Sequence, residues 1–585
     1  MKRWILSLTA IALLALTVPR VSAAEEKKPP TIEEKIEAAK TEGQTRGDSA
    51  WMLVSTGMVL FMVPGLALFY GGMVRRKNVL GTMMHSMVCL GLIGIQWVLF
   101  GYSLAFGASQ GGWVGWSPEF LGLQGVKPDA NFPGTNIPIL LHCMYQGMFA
   151  IITPALISGA VAERIRFGPY CLFILLWATI VYDPLAHWVW AVKEVPVLVD
   201  GKPSIVDGKE VPPVVKPTGY LAMNGAIDFA GGTVVHIAAG FSGLAAILLL
   251  RKRRGYPEHA MHPNSMVLTL TGAGLLWFGW FGFNGGSALN SGPQAVSALT
   301  ASQVAAAAAA LSWMVVEWIH KGKPTALGLA SGLVAGLVAV TPASGYVNPL
   351  GGMVIGLAAG LVCYIAVSLK PFFKYDDSLD AFGIHGVGGF LGALLTGICF
   401  ASPAYLKAIG FDADNFGRTD KGVMTQLGAQ FGAALLAAAY SFIVTVVLVL
   451  LIDKLWGFSL PAREESEGLD RSEHGEVGFD LSPAMEITET IHEPRAATVP
   501  PNGKKHFTVV VDGVEQGVLI NAWSGMCGAG TTPAPKEFRS VYPFVTTVTG
   551  NRFHFRGGDP NSMRDNMRKL FELSVGGTVK ARVED

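Results

Sequence analysis

The sequence predicts an all-α membrane protein of about eleven transmembrane helices, followed by a small α+β domain at the C-terminal end. Three observations lead to this prediction. The chain of 585 residues is 51% hydrophobic and only 15% charged, whereas a soluble chain is typically about a quarter charged. Apolar runs of spanning length recur between Trp51 and Trp456. Beyond Trp456 the sequence turns polar, and strand-like alternation begins only at about residue 504.

Each apolar run is close to the roughly 20 residues that a helix needs to cross the hydrocarbon core of a bilayer. Backbone groups in lipid are satisfied only in helices or closed barrels, and runs this long and continuous exclude a barrel. The predicted spans cover residues 50–73, 79–107, 137–161, 168–190, 226–250, 264–287, 298–319, 325–343, 349–370, 380–401 and 425–456.

The N-terminal end has the pattern of a secretory signal peptide, predicted at residues 1–23. Lys2 and Arg3 precede an apolar stretch that is too short to span, and small residues follow it. An uncleaved first anchor is the alternative. The charged residues 24–47 show no apolar period, which predicts a solvated extracytoplasmic linker.

Short loops on alternate sides of the predicted bundle contain the basic residues. They follow spans one, three, five and seven, at Arg75-Arg76-Lys77, Arg164 with Arg166, Arg251-Lys252-Arg253-Arg254, and Lys321 with Lys323. Because short cytoplasmic loops hold the Lys and Arg of membrane proteins, we expect the N-terminus outside and the C-terminus in the cytoplasm. The protein is therefore predicted to be a multi-pass protein of the inner (plasma) membrane.

Several classes of function are disfavoured by composition. The formal net charge of +1 gives no reason to expect a nucleic-acid partner. The six cysteines are scattered without metal-ligand spacing, which predicts no metal site and no cofactor. Serine, histidine and aspartate are plentiful, but no nucleophile motif accompanies them, so we do not expect an enzyme with catalytic residues.

Two histidines inside predicted spans are candidates for function, because ionisable groups in lipid are costly. His236 lies eight residues after Asp228, and His385 lies eight residues after Asp377. Eight helical residues rise about 12 Å, so spans of opposite direction bring both histidines close to the midplane. This pattern predicts two inverted five-helix halves with a transport path between them. The alternatives are a satisfied structural histidine and, for each aspartate, a helix N-cap.

These segments resemble the ammonium transporter family, which comprises ammonium transporters, methylammonium permeases and Rhesus proteins. The resemblance covers roughly residues 48–476, which we take as a membrane domain of residues 48–457 with the start of a tail. The motifs that establish it are Gly65-Leu-Ala-Leu-Phe-Tyr-Gly-Gly-Met73, Asp228 through His236, Gly279-Trp-Phe-Gly-Phe-Asn-Gly-Gly-Ser287, Phe382-Gly-Ile-His-Gly-Val387, Glu467-Gly-Leu-Asp and His474-Gly-Glu476.

The resemblance implies an eleven-helix homotrimer with one pore per subunit that conducts ammonia or ammonium after cation recruitment and deprotonation. It assigns substrate recruitment to Trp190, Ser287 and Phe149, and the pore gate to Phe149 and Phe283. It assigns the twin histidines to His236 and His385, and acidic support to Asp228. Asp377 is a further candidate for acidic support, because it can cap the start of its helix as Asp228 does. Trp190 with Ser287 favours the ammonium branch over a Rhesus-type gas channel. An ammonium sensor that keeps the pore is a further alternative. Without the motif, Trp190 fits an interfacial aromatic belt equally well.

The C-terminal part is predicted as a cytoplasmic tail and linker, residues 458–503, and an α+β domain of unknown function, residues 504–585. Alternation predicts strands at 506–512, within 541–556 and at 578–583, with a charged helix at 561–573. The family resemblance implies small cytoplasmic PII-type regulators at the inner face. Our hypothesis is that this domain binds a cytoplasmic partner or gates flux, and the alternative is an inert folded appendage.

Overall fold

The computed structural model describes the membrane part of the chain almost completely and the C-terminal part in pieces. The described residues are 31–199, 202–206, 209–259, 261–400, 402–411, 422–479, 506–512, 514, 519, 523, 541–549, 551–556, 559–575 and 578–584. The predicted signal peptide and most of the predicted linker before residue 504 lie outside them. The chain divides into two compact units, Met1–Ser482 and Pro483–Asp585.

Eleven apolar helices build the first unit within the described residues. They are α1 (Ile32–Met73), α2 (Arg76–Phe106), α3 (Ile139–Val161), α4 (Phe167–Trp190), α5 (Gly232–Leu249), α6 (Met266–Gly286), α7 (Pro293–Lys321), α8 (Ala326–Val340), α9 (Pro349–Phe373), α10 (Phe382–Ile398) and α11 (Val423–Trp456). Nine are long and apolar enough to cross a membrane, and α8 and α10 are shorter apolar helices. The predicted all-α membrane fold is confirmed.

Two helix starts differ from the prediction. Helix α1 begins at Ile32 rather than near residue 50, so the charged residues that were predicted as a linker are helical and mostly exposed. Pairs such as Arg46 with Glu42, one turn apart, stabilise a helix that has no apolar period. Helix α5 begins at Gly232 rather than at residue 226, because the side chain of Asp228 caps this end from outside the helix.

Helices α8 and α9 each have glycine at every fourth position, and both of these glycine stripes pack on α7. The stripes are Gly328, Gly332 and Gly336 in α8, and Gly352, Gly356 and Gly360 in α9. A Cβ atom on Gly336 would lie 2.5 Å from the carbonyl oxygen of Ala305, and one on Gly356 would clash with the same oxygen. Any larger residue at these positions would push the helices apart. In lipid, where apolar surface alone does not drive association, such close packing is what holds helices together.

The described spans contain four π-helical turns, two inside α2 and α4 and two at the starts of α5 and α10, and each adds one residue to a helical turn. They are Trp97–Gly101 in α2, Ala178–Tyr182 in α4, Gly232–Ile237 in α5 and Phe382–Gly386 in α10. Hydrophobic periodicity did not reveal any of them. Two of these turns contain the candidate histidines, and the other two flank a buried polar pair described below.

Three of the basic loops meet in a buried ionic cluster at one face of the bundle. Arg253 bonds Glu163 at 2.9 Å and Asp376 at 2.7 Å, while Arg164 bonds Asp376 at 2.7 Å and Arg75 bonds Glu163 at 3.0 Å. Burial raises the pKa of Glu163, but the charges of Arg253 and Arg75 outweigh it and hold that pKa below its ordinary value. Arg253 and Arg164 likewise outweigh the burial of Asp376, whose pKa is also lowered. The cluster is therefore held together in its ionised form.

Short strands and short helices lie in the loops of the first unit. The strands pair antiparallel as β1 (Ser109–Gln110) with β2 (Val114–Gly115), β3 (Val192–Val195) with β8 (Val214–Pro217), β4 (Leu198–Val199) with β5 (Lys202–Pro203), and β6 (Ile205–Val206) with β7 (Lys209–Glu210). The short helices are Pro118–Leu123, Tyr220–Met223, Pro403–Ala408, Ala462–Glu467 and Leu469–Ser472.

The described part of the second unit is a four-stranded antiparallel sheet with one helix against it. The sheet contains β9 (His506–Asp512), β10 (Val545–Thr549), β11 (Arg552–Arg556) and β12 (Lys580–Glu584) in the order β10-β11-β9-β12. Helix α12 (Pro560–Val575) packs Met567, Leu570 and Phe571 into a core with alternate residues of β9 and β11. This strand order is that of a split β-α-β fold.

Candidate functional site

The two candidate histidines meet where α5 crosses α10. Gly240 faces the backbone of Gly386 so closely that a Cβ atom on Gly240 would clash with it. Gly389 lies over the start of α5, where a Cβ atom would sit 3.0 Å from the Cβ of His236. Because glycine allows both approaches, the π-helical turns that hold His236 and His385 come into direct contact.

The imidazole rings of His236 and His385 form a hydrogen-bonded pair. Their Nδ1 atoms are 3.2 Å apart, and the rings are nearly parallel with centroids 5.2 Å apart. Two neutral imidazoles share such a bond only when one Nδ1 carries a proton and the other accepts it. One ring then presents an N–H at Nε2 and the other a lone pair. The Nε2 atom of His236 is buried and has no protein partner among the described residues.

A narrow apolar cavity surrounds this pair. Its lining consists of the two histidines and apolar or aromatic side chains, namely Met62, Leu66, Phe69, Ile152, Leu156, Val235, Leu276, Trp280, Phe283 and Val334. The room for the centre of a water-sized sphere is about 10 Å³, which is about one water. Among the described residues, no carboxylate or cationic side chain lines it, so an intact cation inside would lose its hydration without gaining a counter-charge.

Phe149 and Phe283 separate this cavity from an open vestibule. Their ring centroids are 4.2 Å apart with a tilt of 33°. Phe283 continues inward to His236, whose ring lies 6.1 Å away, and Phe149 continues outward to Trp190 at 6.0 Å. The structure thus places the predicted recruitment, gate and histidine residues in one continuous aromatic column.

The vestibule has a volume of about 580 Å³ and is lined by Trp190, Ser287, Phe149 and Asp228 among others. The hydroxyl of Ser287 donates to the carbonyl of Phe283 at 2.8 Å, and it lies 3.2 Å from the hydroxyl of Tyr145. With its proton used by a carbonyl, the oxygen of Ser287 keeps a lone pair for a donor in the vestibule. No sequence motif singled out Tyr145, although it lies one turn before Phe149 on α3.

Asp228 organises the start of α5 rather than presenting a free charge. Its two carboxylate oxygens accept four backbone N–H groups, those of Gly231, Gly232, Thr233 and Val234, at 2.7–3.1 Å. The backbone carbonyl of Asp228 accepts from Nε1 of Trp190 at 2.9 Å. One residue therefore fixes both the histidine helix and the vestibule indole.

Asp377 is the counterpart of Asp228 before α10, with fewer partners. Its oxygens accept from the backbone N–H groups of Ala381 at 3.1 Å and Phe382 at 2.8 Å. Lys370 forms an ion pair with the neighbouring Asp380 and donates to the backbone carbonyl of Asp377. Burial and the charge of Asp380 raise the pKa of Asp377 to about 6.

The tail that follows α11 is attached to the first loop and the start of α2. Asn78 accepts from the backbone N–H of Leu469, and Asp470 accepts from that of Gly81, each at 2.9 Å. Arg251 pairs with Glu465 at 3.0 Å. The tail motif that the sequence singled out therefore lies on the face that contains the ionic cluster.

Known proteins are similar to this chain in sequence and in fold. A sequence profile of the Ammonium Transporter Family matches residues 50–479. The ammonium transporter of Mycobacterium tuberculosis is 43% identical over 453 residues, which cover 75% of this chain and 91% of that protein. The crystal structure of Mep2 from Saccharomyces cerevisiae has a TM-score of 0.62 and 35% identity, covering 75% of this chain and 92% of that one. A structure described as Sensor Amt Protein has a TM-score of 0.64 and 27% identity, covering 74% and 99%.

Proposed function

Since the chain belongs to the Ammonium Transporter Family, we propose that it carries ammonium across a membrane by passing neutral ammonia along the column from Trp190 to His385. The single observation behind this proposal is the hydrogen-bonded histidine pair inside an uncharged cavity, behind a closed pair of phenylalanines. The name and similarity of the relatives support transport, and the steps below rest on the geometry of this chain.

Recruitment takes place in the vestibule. Ammonium and potassium have similar size, so a sieve cannot separate them, but only ammonium donates hydrogen bonds. The indole face of Trp190 attracts a cation by roughly 0.5–2 kcal/mol, and the lone pair of Ser287 accepts an N–H. Asp228 adds negative potential, although its oxygens are already occupied by backbone donors.

Deprotonation follows because an intact cation in the cavity faces a penalty of several kcal/mol. Neutral ammonia passes the two rings once they rotate apart. At the histidine pair one Nε2 offers a donor and the other an acceptor, which suits ammonia in both of its hydrogen-bonding roles. The pair thus orients ammonia and selects against potassium, which has neither a proton to lose nor donors to offer.

Uptake into proteoliposomes tests the proposal directly. The purified protein should accumulate methylammonium, with ammonium as a competitor and potassium without effect. The matched control is Phe283→Trp, in which a larger ring should block the column while the recruitment residues Trp190, Ser287 and Phe149 remain. No flux through wild-type protein, despite ammonium binding, would contradict transport.

That contrary outcome would favour the second candidate, an ammonium sensor, which is supported by the similarity to the Sensor Amt Protein structure and by the appended second unit. A Rhesus-type gas channel is a weaker candidate, because Trp190 and Ser287 lie together in the vestibule.

We further propose that the protein is a homotrimer of an inner (plasma) membrane, with residues 504–585 in the cytoplasm. A reporter fused after Glu584 should be active only on the cytoplasmic side, and detection from outside intact cells would reverse the orientation. Deleting everything after Pro500 should leave flux intact and change its regulation, either by a PII-type protein or by the domain itself. If uptake by the truncated protein still shuts off at high ammonium as in the full chain, the domain is an inert appendage.

A further inference from the structure

A second pair of buried polar side chains joins α2 to α4, apart from the histidine pair. Nε2 of Gln96 donates to Oδ2 of Asp183 at 2.7 Å and to the hydroxyl of Thr179 at 3.3 Å. Asp183 is fully buried and Gln96 is 2% exposed. Neither residue lines the histidine cavity or the vestibule. The pair is therefore a separate polar site within the membrane body, and the transport path does not use it.

Asp183 has too few donors for an ionised carboxylate. It receives one hydrogen bond, from Gln96, whereas Asp228 receives four. Glu317, another buried carboxylate of the first unit, has Lys321 at 3.2 Å and the backbone and hydroxyl of Thr325 at 3.1 and 2.9 Å. An ionised group with a single neutral donor would be strongly destabilising in this environment.

Two buried oxygen atoms at the pair have no hydrogen-bond partner among the residues that the structure describes. They are Oδ1 of Asp183 and Oε1 of Gln96. If Asp183 is ionised, both atoms are acceptors that lack a donor. Buried polar atoms are nearly always hydrogen-bonded, so two neighbouring orphans of the same kind indicate a missing donor between them.

The surroundings of Asp183 supply no such donor. Among the ion pairs of the described residues, none involves Asp183. His187, one turn along α4, uses both ring nitrogens, on the carbonyl of Ala105 at 2.9 Å and the hydroxyl of Ser109 at 2.8 Å. The hydroxyl of Tyr182, at the preceding position, is a donor, but it makes no hydrogen bond to any described residue and so does not reach the carboxyl group of Asp183. A proton on the carboxyl group itself is the simplest remaining donor.

We propose that Asp183 is a neutral carboxylic acid whose Oδ1–H donates to Oε1 of Gln96, so that acid and amide form a reciprocal pair with two hydrogen bonds. One proton then satisfies both orphan oxygens. The conclusion does not depend on the amide assignment. If the amide were rotated, Oε1 would face Oδ2 at the short separation, and only a carboxyl proton can bridge two acceptors.

The backbone around the pair is shaped to hold it. The π-helical turn Trp97–Gly101 begins directly after Gln96, and the turn Ala178–Tyr182 ends directly before Asp183. A Cβ atom on Gly101 would lie 2.8 Å from Oε1 of Gln96, so this glycine leaves room for the amide. Such turns often mark functional positions in helices. The site thus holds a proton inside the bundle and fixes α4, the helix that ends at Trp190.

Infrared spectroscopy of the full-length protein in vesicles tests the proposal. The Asp183→Asn difference spectrum should show the loss of a protonated carboxyl band that shifts in D₂O. Glu317→Gln is the matched control and should lose only carboxylate bands. Gln96→Leu should move the Asp183 band to higher frequency, because it removes the acceptor, and this second variant gives a result even if Asp183→Asn does not fold.

Stability provides an independent readout. Asp183→Asn retains two hydrogen bonds as an amide–amide pair, so its melting temperature and flux should match the wild type, whereas Asp183→Leu should melt earlier. Loss of carboxylate bands in Asp183→Asn would overturn the proposal. So would a wild-type melting temperature that rises with NaCl or KCl over choline chloride and loses that dependence in Asp183→Asn, since that result identifies a bound cation.

Discussion

The two halves of the membrane body share one arrangement of aspartate and histidine, but the aspartates accept different numbers of hydrogen bonds. In each half an aspartate precedes a π-helical turn that contains a histidine, Asp228 before His236 and Asp377 before His385. Asp228 is anchored by four backbone donors, but Asp377 by only two, beside the like charge of Asp380. One member of the histidine pair is therefore held firmly, and the other can adjust.

Removing the stronger anchor, the carboxylate of Asp228, should cause the greatest loss of stability and flux. Asp228→Ala leaves four backbone N–H groups without their acceptor, so we expect a loss of about 3–5 kcal/mol in stability and little remaining flux. The backbone carbonyl that accepts from Trp190 is retained in this variant. Asp377→Ala removes two bonds and should cost about half as much. Thermal unfolding in detergent and uptake in proteoliposomes measure both.

Asp228→Asn separates the cap from the charge, because the amide keeps one acceptor oxygen. Intermediate stability with normal flux indicates a cap, whereas full stability with lost flux indicates a role of the charge in transport. Equal costs for the two alanine variants would contradict the asymmetry between the halves.

A second expected effect concerns the ionic cluster that joins the halves, since Arg253 follows α5 and Asp376 precedes α10. Asp376→Asn leaves Arg164 and Arg253 without their shared partner and should cost about 3 kcal/mol. The lowered pKa values of Glu163 and Asp376 mean that their stabilisation is complete above the ordinary carboxyl values of about 4 and is lost as the pH falls through the lower folded values.

The wild-type melting temperature should therefore fall steeply below about pH 4. Asp376→Asn should start lower and fall less over the same range, because one of the two carboxylates is already gone. Parallel melting curves from pH 3 to pH 7 for the two proteins would show that the cluster does not set the acid limit.

The sequence predicted which residues form the column, but not how the backbone places them. Spacing and family motifs pointed to His236, His385, Trp190 and Ser287, and the structure brings them together. The predicted start of the fifth span at residue 226 was wrong, because four hydrogen bonds to the side chain of Asp228 and the positive φ of Gly231 (108°) replace the first helical turn. π-Helical turns depend on contacts between spans, such as Gly240 against Gly386, which no periodicity in one span reveals.

A third effect concerns the histidines themselves. His236→Ala or His385→Ala should lower flux about tenfold without unfolding, which corresponds to about 1.4 kcal/mol. The Asp variants should admit potassium, because a fixed negative charge stabilises an intact cation. His236 also stacks on Trp280 at 5.5 Å, so its replacement should disturb flux more than replacement of His385.

Potassium currents across planar bilayers and methylammonium uptake distinguish these results. If both alanine variants keep wild-type flux and both aspartate variants still exclude potassium, the histidine pair has no part in selectivity.

The mildest change expected is at the vestibule end of the column, at Ser287. Ser287→Ala removes one acceptor for an N–H of the cation and should raise the half-saturating ammonium concentration about fivefold, or about 1 kcal/mol, with maximal flux unchanged. Tyr145→Phe is the matched control. It removes the hydroxyl next to Ser287, but leaves the bond of Ser287 to the carbonyl of Phe283 and so its free lone pair. We therefore expect a smaller shift for Tyr145→Phe, measured as the concentration dependence of initial uptake.

A larger shift for Tyr145→Phe would move the recruiting oxygen from Ser287 to Tyr145. A fall in maximal flux in Ser287→Ala, with unchanged half-saturation, would place the serine at the phenylalanine gate rather than in cation binding.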